Sequence, residues 1–464
     1  MPPFARLLIP ALALSLATPA AAEPDEALAR RLLDGLVAAN TAPSGGTDTR
    51  GAVALLEAEL RAAGFGDDEI SVVGQTELLP NLVVRYRSPN PQARPVLMMA
   101  HLDVVEALAS DWTYPPFETT EVDGYIYGRG TNDNKAGAAI LVANFIALRR
   151  AGYQPDRDLI VMLTADEETT GYSATWLATE QRALLDAEYA LNTDGGSVIE
   201  GPDGAPMAFV MQTAEKVYAS YTFTASDPGG HSSIPGRDSP ISQLARALTA
   251  LEEFHFPVNL GETQRGFFAQ WGAVAPPEER PLLALMAAAE NGSDGPPELA
   301  DAPVYNALAR TTCVATQLSG GHAENALPQT AQAVVNCRVL PQESTDEIEA
   351  ALRALAAPHM VTVAQFGEIT PSPPSPLRDD VTTPVTAAAR AVFGDVPIIP
   401  ELSTGATDGA YLRRAGIPVY GVGALAERID DNRAHGQDER ISIRAFHDAL
   451  NFYYRLTMLI TGSE

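Results

Sequence analysis

The chain has 464 residues, of which 46% are hydrophobic and 19% are charged. Its length is about three times that of a common single domain, which predicts two domains, and its composition excludes a disordered chain. The formal net charge of −28 disfavours nucleic acid as a partner, and a count of two cysteines excludes a cysteine-rich zinc module.

The first 22 residues have the pattern of a secretory signal peptide. Arg6 precedes an apolar run over residues 7–16, and small residues follow as far as Ala22. A membrane anchor is the alternative, but Pro10 interrupts the run, which is shorter than the roughly 20 apolar residues of a spanning helix. We therefore predict a periplasmic or secreted protein that has no membrane association after cleavage.

The next part of the chain alternates between helical and strand-like patterns. An amphipathic helix is predicted around Leu32, a second helix ends at Gly64, and a third covers residues 136–150. Short apolar runs, typical of buried strands, occur at residues 96–100, 159–163, 189–191 and 419–422. This alternation predicts an α/β fold with a mixed sheet covered by helices on both faces.

The pattern changes to strand-like alternation after about residue 215, as in residues 218–225 and 331–339. A Pro-rich segment at residues 370–376 marks the return to the first domain, and residues 442–460 predict a closing amphipathic helix. The predicted organisation is a signal peptide at 1–22, a first domain at 23–214 and 375–464, and an inserted α+β domain at 215–374.

Polar residues follow three of the predicted strands. His101 and Asp103 follow the first, Glu167 and Glu168 follow the second, and Asp194 follows the third. Ligands bind beyond the carboxyl ends of the strands in such sheets, so we expect these side chains to gather at one edge. Imidazole and carboxylate groups bind metal ions, and a carboxylate beside a ligand can orient it or carry protons.

Three further segments contain candidate site residues. They are Asp133 in a glycine-containing loop, His231 in a Gly-Gly-His-Ser-Ser segment, and His435 in a polar loop. Taken alone, the first segment is also compatible with a helix-capping turn, the second with a flexible hairpin, and the third with an exposed loop. The order of a phosphate-binding loop is absent, and there is no Gly-x-Ser-x-Gly elbow for a nucleophilic serine.

In this order and spacing, the segments resemble the zinc exopeptidase family that contains glutamate carboxypeptidase, acetylornithine deacetylase, succinyl-diaminopimelate desuccinylase, aminoacylase, carnosinase and carboxypeptidase S. The resemblance extends from about residue 25 to residue 460 and includes Arg338 and the segments at 325–328 and 405–408. It implies a catalytic domain with an inserted lid and dimerisation domain, and a homodimer that forms through the insert.

The resemblance also implies a centre of two zinc ions per chain, for which cobalt or manganese can substitute. In that centre Asp133 bridges the two ions. His101 and Asp194 complete one site, and Glu168 and His435 complete the other. A cis peptide bond between Asp133 and Asn134 is implied as well.

Catalytic and substrate-binding roles follow from the same resemblance. Glu167 is expected to be the general base, Asp103 to support His101, and His231 to stabilise the oxyanion, from the partner subunit in dimeric relatives. The residues expected to bind the substrate are Arg338, Asn325 and Gly405. The family's usual Gly-Gly at the last of these positions is Gly-Ala here, which adds a methyl group to a turn that contacts substrate.

The implied activity is two-metal hydrolysis of peptide or amide bonds in small peptides with a free carboxylate, by an exopeptidase, carboxypeptidase or dipeptidase. Asp194 favours a peptidase, because in the family this position tends to be Asp in aminopeptidases and dipeptidases and Glu in carboxypeptidases and deacylases. The alternatives are a deacylase of N-acyl amino acids and a non-catalytic binding protein, although no ligand residue is missing. Cys313 and Cys337 flank Asn325 at equal distance on two strand-like runs, and we predict a disulfide between them, which an oxidising compartment permits.

Overall fold

The structure is a computed structural model that describes residues 23–428 and 431–462. The predicted signal peptide at residues 1–22 lies outside the described residues, so export stays a prediction. None of the helices in the described ranges has the length and apolar character that crossing a bilayer requires.

The described residues form twelve α-helices and nineteen β-strands. The helices are α1 Glu26–Ala38, α2 Arg50–Ala62, α3 Lys135–Arg150, α4 Tyr172–Thr179, α5 Pro240–Glu253, α6 Glu262–Val274, α7 Arg280–Ala287, α8 Pro303–Ala309, α9 Thr345–Ala356, α10 Asp379–Phe393, α11 Gly409–Arg414 and α12 Ile443–Ile460. The strands are β1 Ile70–Val73, β2 Asn81–Tyr86, β3 Val96–His101, β4 Thr120–Val122, β5 Tyr125–Tyr127, β6 Leu159–Thr164, β7 Tyr189–Asn192, β8 Ser197–Glu200, β9 Pro206–Glu215, β10 Val217–Ser226, β11 Gly230–His231, β12 Thr312–Gly320, β13 Ala326–Leu327, β14 Thr330–Val339, β15 Val361–Phe366, β16 Ile398–Ser403, β17 Val419–Gly421, β18 Ala426–Arg428 and β19 Arg440–Ser442.

Ten strands form one large mixed sheet. Its order is β1-β2-β6-β3-β7-β17-β9-β8-β18, and β16 pairs with β9. The central strands β6, β3, β7 and β17 are parallel to one another. Strand β2 is antiparallel to both of its neighbours, and β8 is antiparallel to β9 but parallel to β18. These four central strands coincide with the four apolar runs in the sequence. The predicted fold class, a mixed sheet between helices, is confirmed.

Helices cover both faces of this sheet. Alternate residues of β3 point to opposite faces, so Met98 belongs to one core and Leu97 to the other. The first core includes α1, α3, α10 and α12, and the second includes Leu177 of α4 and Leu412 of α11. Helix α3 is buried on almost all sides, because it lies between α1, α12 and the sheet.

A second, antiparallel sheet has the order β12-β14-β10-β15. Helices α5 and α9 pack on one face, where Val335 and Cys337 of β14 are buried. On the other face Tyr218 of β10 is the register partner of Arg338 in β14. These elements come from the region 215–374, which the sequence pattern assigns to an inserted domain.

Part of that region packs elsewhere. Residues 258–309 contribute Phe268 and Trp271 of α6 to a core that also contains Val210 of β9 and Leu402 of β16. This segment therefore packs on the large sheet, although the predicted boundaries place it in the inserted domain. The boundaries follow a change of pattern along the chain, whereas the packing partner depends on which apolar surface is nearby in space.

Cys313 and Cys337 are register partners on β12 and β14, and they form a disulfide. The predicted disulfide is thus confirmed. It joins the edge strand of the second sheet to the strand that carries Arg338, one residue before that arginine.

Candidate metal centre and catalytic cleft

The predicted ligands lie at one edge of the large sheet. Strand β3 ends at His101, and the loops after β6 and β7 carry Glu168 and Asp194. Since these three strands are parallel neighbours, their carboxyl ends meet at the same edge. Asp133 precedes α3, and His435 lies in the loop before β19.

The side chains of all five predicted ligands converge there. Nε2 of His101 lies 2.9 Å from Oδ1 of Asp133, and Nε2 of His435 lies 3.0 Å from Oδ2 of the same residue. Nε2 of His435 is also 3.0 Å from Oε1 of Glu168, and Nε2 of His101 is 4.0 Å from Oδ2 of Asp194. Each oxygen of Asp133 therefore faces one histidine, and the cluster has two halves that share Asp133.

The loop that carries Asp133 is held against the loop that carries Asp194. Oγ1 of Thr193 donates a hydrogen bond of 2.6 Å to Oδ1 of Asn134. A Cβ atom at Gly137 would lie 2.3 Å from Oγ1 of Thr193, so this close approach requires glycine. The peptide bond between Asp133 and Asn134 is cis, which confirms the prediction.

The donor chemistry of the cluster fits two divalent cations. Each half contains one imidazole nitrogen and carboxylate oxygens, a ligand set typical of zinc, cobalt and manganese. Burial, followed by the charge of Asp133, raises the pKa of Asp194 to about 8. Hydrogen bonds with Asp133 and Glu168 raise the pKa of His435 to about 10. A cation in each half would relieve the repulsion between these carboxylates.

Asp103 is buried and holds the two acids after β6. Its carboxylate oxygens accept hydrogen bonds from the backbone N of Glu167 at 3.0 Å and of Glu168 at 2.9 Å. Nδ1 of His101 lies 3.0 Å from the carbonyl oxygen of Asp103 and 3.6 Å from its Oδ1. Asp103 therefore acts through its neighbours, as a positioning residue that orients one histidine and two acids.

The side chain of Glu167 lies beside His101 and Glu168 and lines the cleft. Burial raises its pKa well above the ordinary value of a glutamate, and the charge of His101 opposes this effect while the charge of Asp194 adds to it. A raised pKa suits a carboxylate that accepts and returns a proton near neutral pH.

A cleft of about 660 Å³ lies between the donor cluster and the second sheet. Glu168 and His435 line one side, and Tyr218 and Arg338 line the other. The guanidinium of Arg338 lies 4.8 Å from the ring centroid of Tyr218, and Nη1 donates to the carbonyl oxygen of Thr404 at 3.4 Å. These contacts leave a cation in the cleft wall that is paired with no carboxylate of the described chain.

Gly405 lies in the same wall, and the loop around it is fixed by a buried ion pair that the sequence analysis missed. Backbone N and Oγ1 of Thr407 donate to Oε2 of Glu215 at 2.9 and 3.1 Å, and Oε1 of Glu215 lies 2.5 Å from Nη2 of Arg413. A single acid and a single arginine have no motif that distinguishes them from surface charges, so the sequence offers no signal for this pair.

His231 and Asn325 lie outside the cleft of the same chain, so Asn325 does not stand beside Arg338 as expected. His231 lies in β11, and Asn325 directly precedes β13, the strand that pairs with β11 in a short ladder. Both side chains are exposed, and the backbone N of Ser232 donates to the carbonyl oxygen of Asn325 at 3.1 Å. The ladder lies beyond the end of the second sheet at which Ser226 of β10 pairs with Thr330 of β14. That pair is eight residues along β10 from the pair formed by Tyr218 and Arg338. At about 3.3 Å per residue, the two pairs are roughly 26 Å apart.

Comparisons with known proteins agree with this architecture. The model of peptidase family M20/M25/M40 matches residues 97–459. The N-fatty-acyl-amino acid synthase/hydrolase PM20D1 of Xenopus tropicalis is 30% identical over 373 residues, which cover 78% of this chain and 72% of that protein. Probable carboxypeptidase S-like 2 of Dictyostelium discoideum is 28% identical over 395 residues, with coverages of 81% and 73%.

Two solved structures show the same fold at low sequence identity. The M20 family metallo-carboxypeptidase Sso-CP2 from Sulfolobus solfataricus has a TM-score of 0.70 at 18% identity, covering 95% of this chain and all of its own. Human carnosine dipeptidase 1 has a TM-score of 0.66 at 17% identity, covering 94% and 96%. The resemblance seen in the sequence is confirmed, and the chain belongs to peptidase family M20/M25/M40 as a hydrolase of the metallopeptidase type.

Proposed function

We propose that this chain holds two zinc ions and cleaves the peptide bond of small peptides that carry a free carboxylate. The observation that carries the proposal is the placement of Arg338 across the cleft from the donor cluster. A guanidinium binds a carboxylate in bidentate fashion, so it can fix one end of a short substrate while the amide lies near Glu167.

The reaction needs few protein groups. When bound, the metal ions supply Lewis acidity that polarises the scissile carbonyl and lowers the pKa of water. Glu167 accepts the proton of the attacking water and returns it to the leaving amine. Asp103 holds the backbone of Glu167 and Glu168, which keeps the base and its neighbouring ligand in separate orientations.

Hydrolysis of N-acyl amino acids is the second candidate function. The relative from Xenopus tropicalis, which is named as an N-fatty-acyl-amino acid synthase/hydrolase, favours it. Such a substrate presents the same amide and carboxylate to Glu167 and Arg338. Incubation of zinc-loaded enzyme with a mixture of dipeptides and N-acyl amino acids, followed by mass spectrometry, distinguishes the two. Free amino acids from dipeptides alone support the peptidase, and release of acyl chains alone supports the deacylase.

Metal analysis tests the two-ion centre. After saturation with zinc and removal of the excess, we expect two zinc ions per chain by elemental mass spectrometry, because two half-sites share Asp133. Asp158→Asn, at the amino end of β6 and remote from the donor cluster, should bind the same number. At most one ion per chain in the saturated wild-type enzyme contradicts the proposal.

Arg338→Ala should raise KM and lower kcat/KM by about tenfold or more for substrates with a free C-terminal carboxylate. The reason is the loss of the cation in the cleft wall. Matched amide substrates should be poor for the wild-type enzyme and little changed by the substitution. If the wild-type enzyme hydrolyses acid and amide substrates equally well, Arg338 is structural.

We also propose a homodimer that forms through the second sheet. Strand β12 is an edge strand, and its residues Val314 and Leu318 are 61% and 71% exposed. A long edge with exposed apolar side chains favours pairing with a second copy. Light scattering coupled to size-exclusion chromatography should give the mass of two chains, and the mass of one chain rejects the dimer.

Export is proposed as well, to the periplasm or the medium. The pattern of residues 1–22 and the disulfide between Cys313 and Cys337 support it, because disulfides persist in oxidising compartments. The protein recovered from the exported fraction should begin at Glu23, and a cytosolic chain that keeps residues 1–22 contradicts the proposal.

A further inference from the structure

One buried carboxylate joins two loops that supply ligands to the donor cluster. Glu439 is fully buried. Its Oε1 accepts hydrogen bonds from the backbone N of Asn132 at 2.7 Å and of Asp133 at 3.0 Å. Its Oε2 accepts from the backbone N of Gly130 at 3.0 Å and from Nη1 of Arg129 at 2.7 Å. The residue four positions after His435 therefore fixes the backbone at Asp133.

Arg129 makes the connection in the opposite direction. Its Nη2 donates to the carbonyl oxygen of Gly436 at 3.0 Å and lies 3.5 Å from that of His435. The guanidinium is buried and lies 5.0 Å from the ring centroid of Trp112. Each loop thus contributes one charged side chain that binds the backbone of the other loop.

The loop at His435 needs such support. His435 and Asp438 have left-handed backbone conformations, with φ of 62° and 51°. These conformations are costly for residues other than glycine and persist where surrounding contacts fix them. Nε2 of His435 must also stay close to both Asp133 and Glu168, to which it lies at 3.0 Å.

We propose that Glu439 and Arg129 are positioning residues that set the metal affinity of the half-site formed by Asp133, Glu168 and His435. They fix the distance between Asp133 and His435, so the ligands are oriented before an ion binds. The inference rests on the proposed two-metal function. It assigns a role in metal binding to two residues whose side chains contact no ligand atom of the cluster.

Zinc titration of the metal-free protein by calorimetry tests the inference. Glu439→Gln keeps the shape of the side chain but directs an amide donor at two N–H donors, which breaks half of the hydrogen bonds. We expect the Kd of one of the two zinc sites to rise about 10- to 100-fold, with the other site changed far less. At saturating zinc kcat should largely recover, and KM should stay near the wild-type value.

A matched control separates positioning from a general loss of stability. Asp158→Asn breaks the partly buried pair with Arg85, whose atoms are 3.1 Å apart at the other end of β6. It should lower Tm and leave both zinc Kd values unchanged. Equal weakening of zinc binding in both variants, or unchanged Kd values in Glu439→Gln, overturns the inference.

Two further outcomes are informative. If Glu439→Gln does not fold, Arg129→Lys decides, since it keeps the charge but loses the fork that reaches the carbonyl oxygens of the His435 loop. Wild-type zinc affinity in that variant overturns the inference. If the wild-type protein itself binds fewer than two zinc ions, the proposed function fails, whereas two ions with unaffected variants contradict the positioning role alone.

Discussion

Glu167→Gln is expected to lower kcat by about 10² to 10⁴, with the zinc content unchanged. Glutamine has nearly the same shape as glutamate but cannot accept the proton of the attacking water or return it to the leaving amine. The contacts that position this segment involve backbone N atoms of residues 167 and 168 with Asp103, so the substitution leaves them intact. The neighbouring ligand Glu168 should therefore keep its place.

Initial rates at saturating substrate, together with elemental analysis of the same preparation, measure both quantities. Glu180→Gln, on the exposed surface at the end of α4, is the matched control and should retain wild-type kcat. If Glu167→Gln turns over at the wild-type rate, Glu167 is not the base. If it loses zinc, its role cannot be separated from metal binding by this substitution.

His231→Ala is expected to lower kcat by about 10² to 10³, the range observed when one oxyanion donor is removed. In the structure this histidine is exposed. It lies beyond one end of the second sheet, and Arg338 lies at the other end. The separation of roughly 26 Å along the strands is too long for the side chain to reach the cleft of its own chain in this arrangement. In the proposed homodimer, we therefore expect His231 to act in the cleft of the partner subunit.

Mixing two inactive variants distinguishes action within a chain from action between chains. Glu167→Ala and His231→Ala homodimers should each be nearly inactive. After dissociation and reassociation, a mixed dimer unites an intact Glu167 from one chain with an intact His231 from the other and regains one working site. Each variant treated alone is the control. If mixed dimers form and activity does not return, His231 acts within its own chain.

The sequence alone determined the chemistry of this protein. The pattern of apolar strands predicts that His101 and Asp194 gather at one edge of the sheet, because the carboxyl ends of parallel strands meet there, and the family resemblance implies that they bind metal. Short apolar runs in the sequence likewise predicted the four central strands. The ligand types of the cluster, Glu167 next to Glu168, and the disulfide of Cys313 with Cys337 were all predictable from local pattern or from the family resemblance.

The tertiary structure decided what holds those residues in place and which surfaces they share. Two buried ion pairs show this: Glu439 with Arg129, 310 positions apart, and Glu215 with Arg413, 198 positions apart. From the sequence alone, each of these acids is indistinguishable from a solvated surface charge, because its partner is distant along the chain. The same limit applies to residues 258–309, which pack on the large sheet, and to His231, which lies away from its own cleft. Local pattern fixes the type of a side chain and its strand or helix, whereas contacts between distant segments depend on how the whole chain packs.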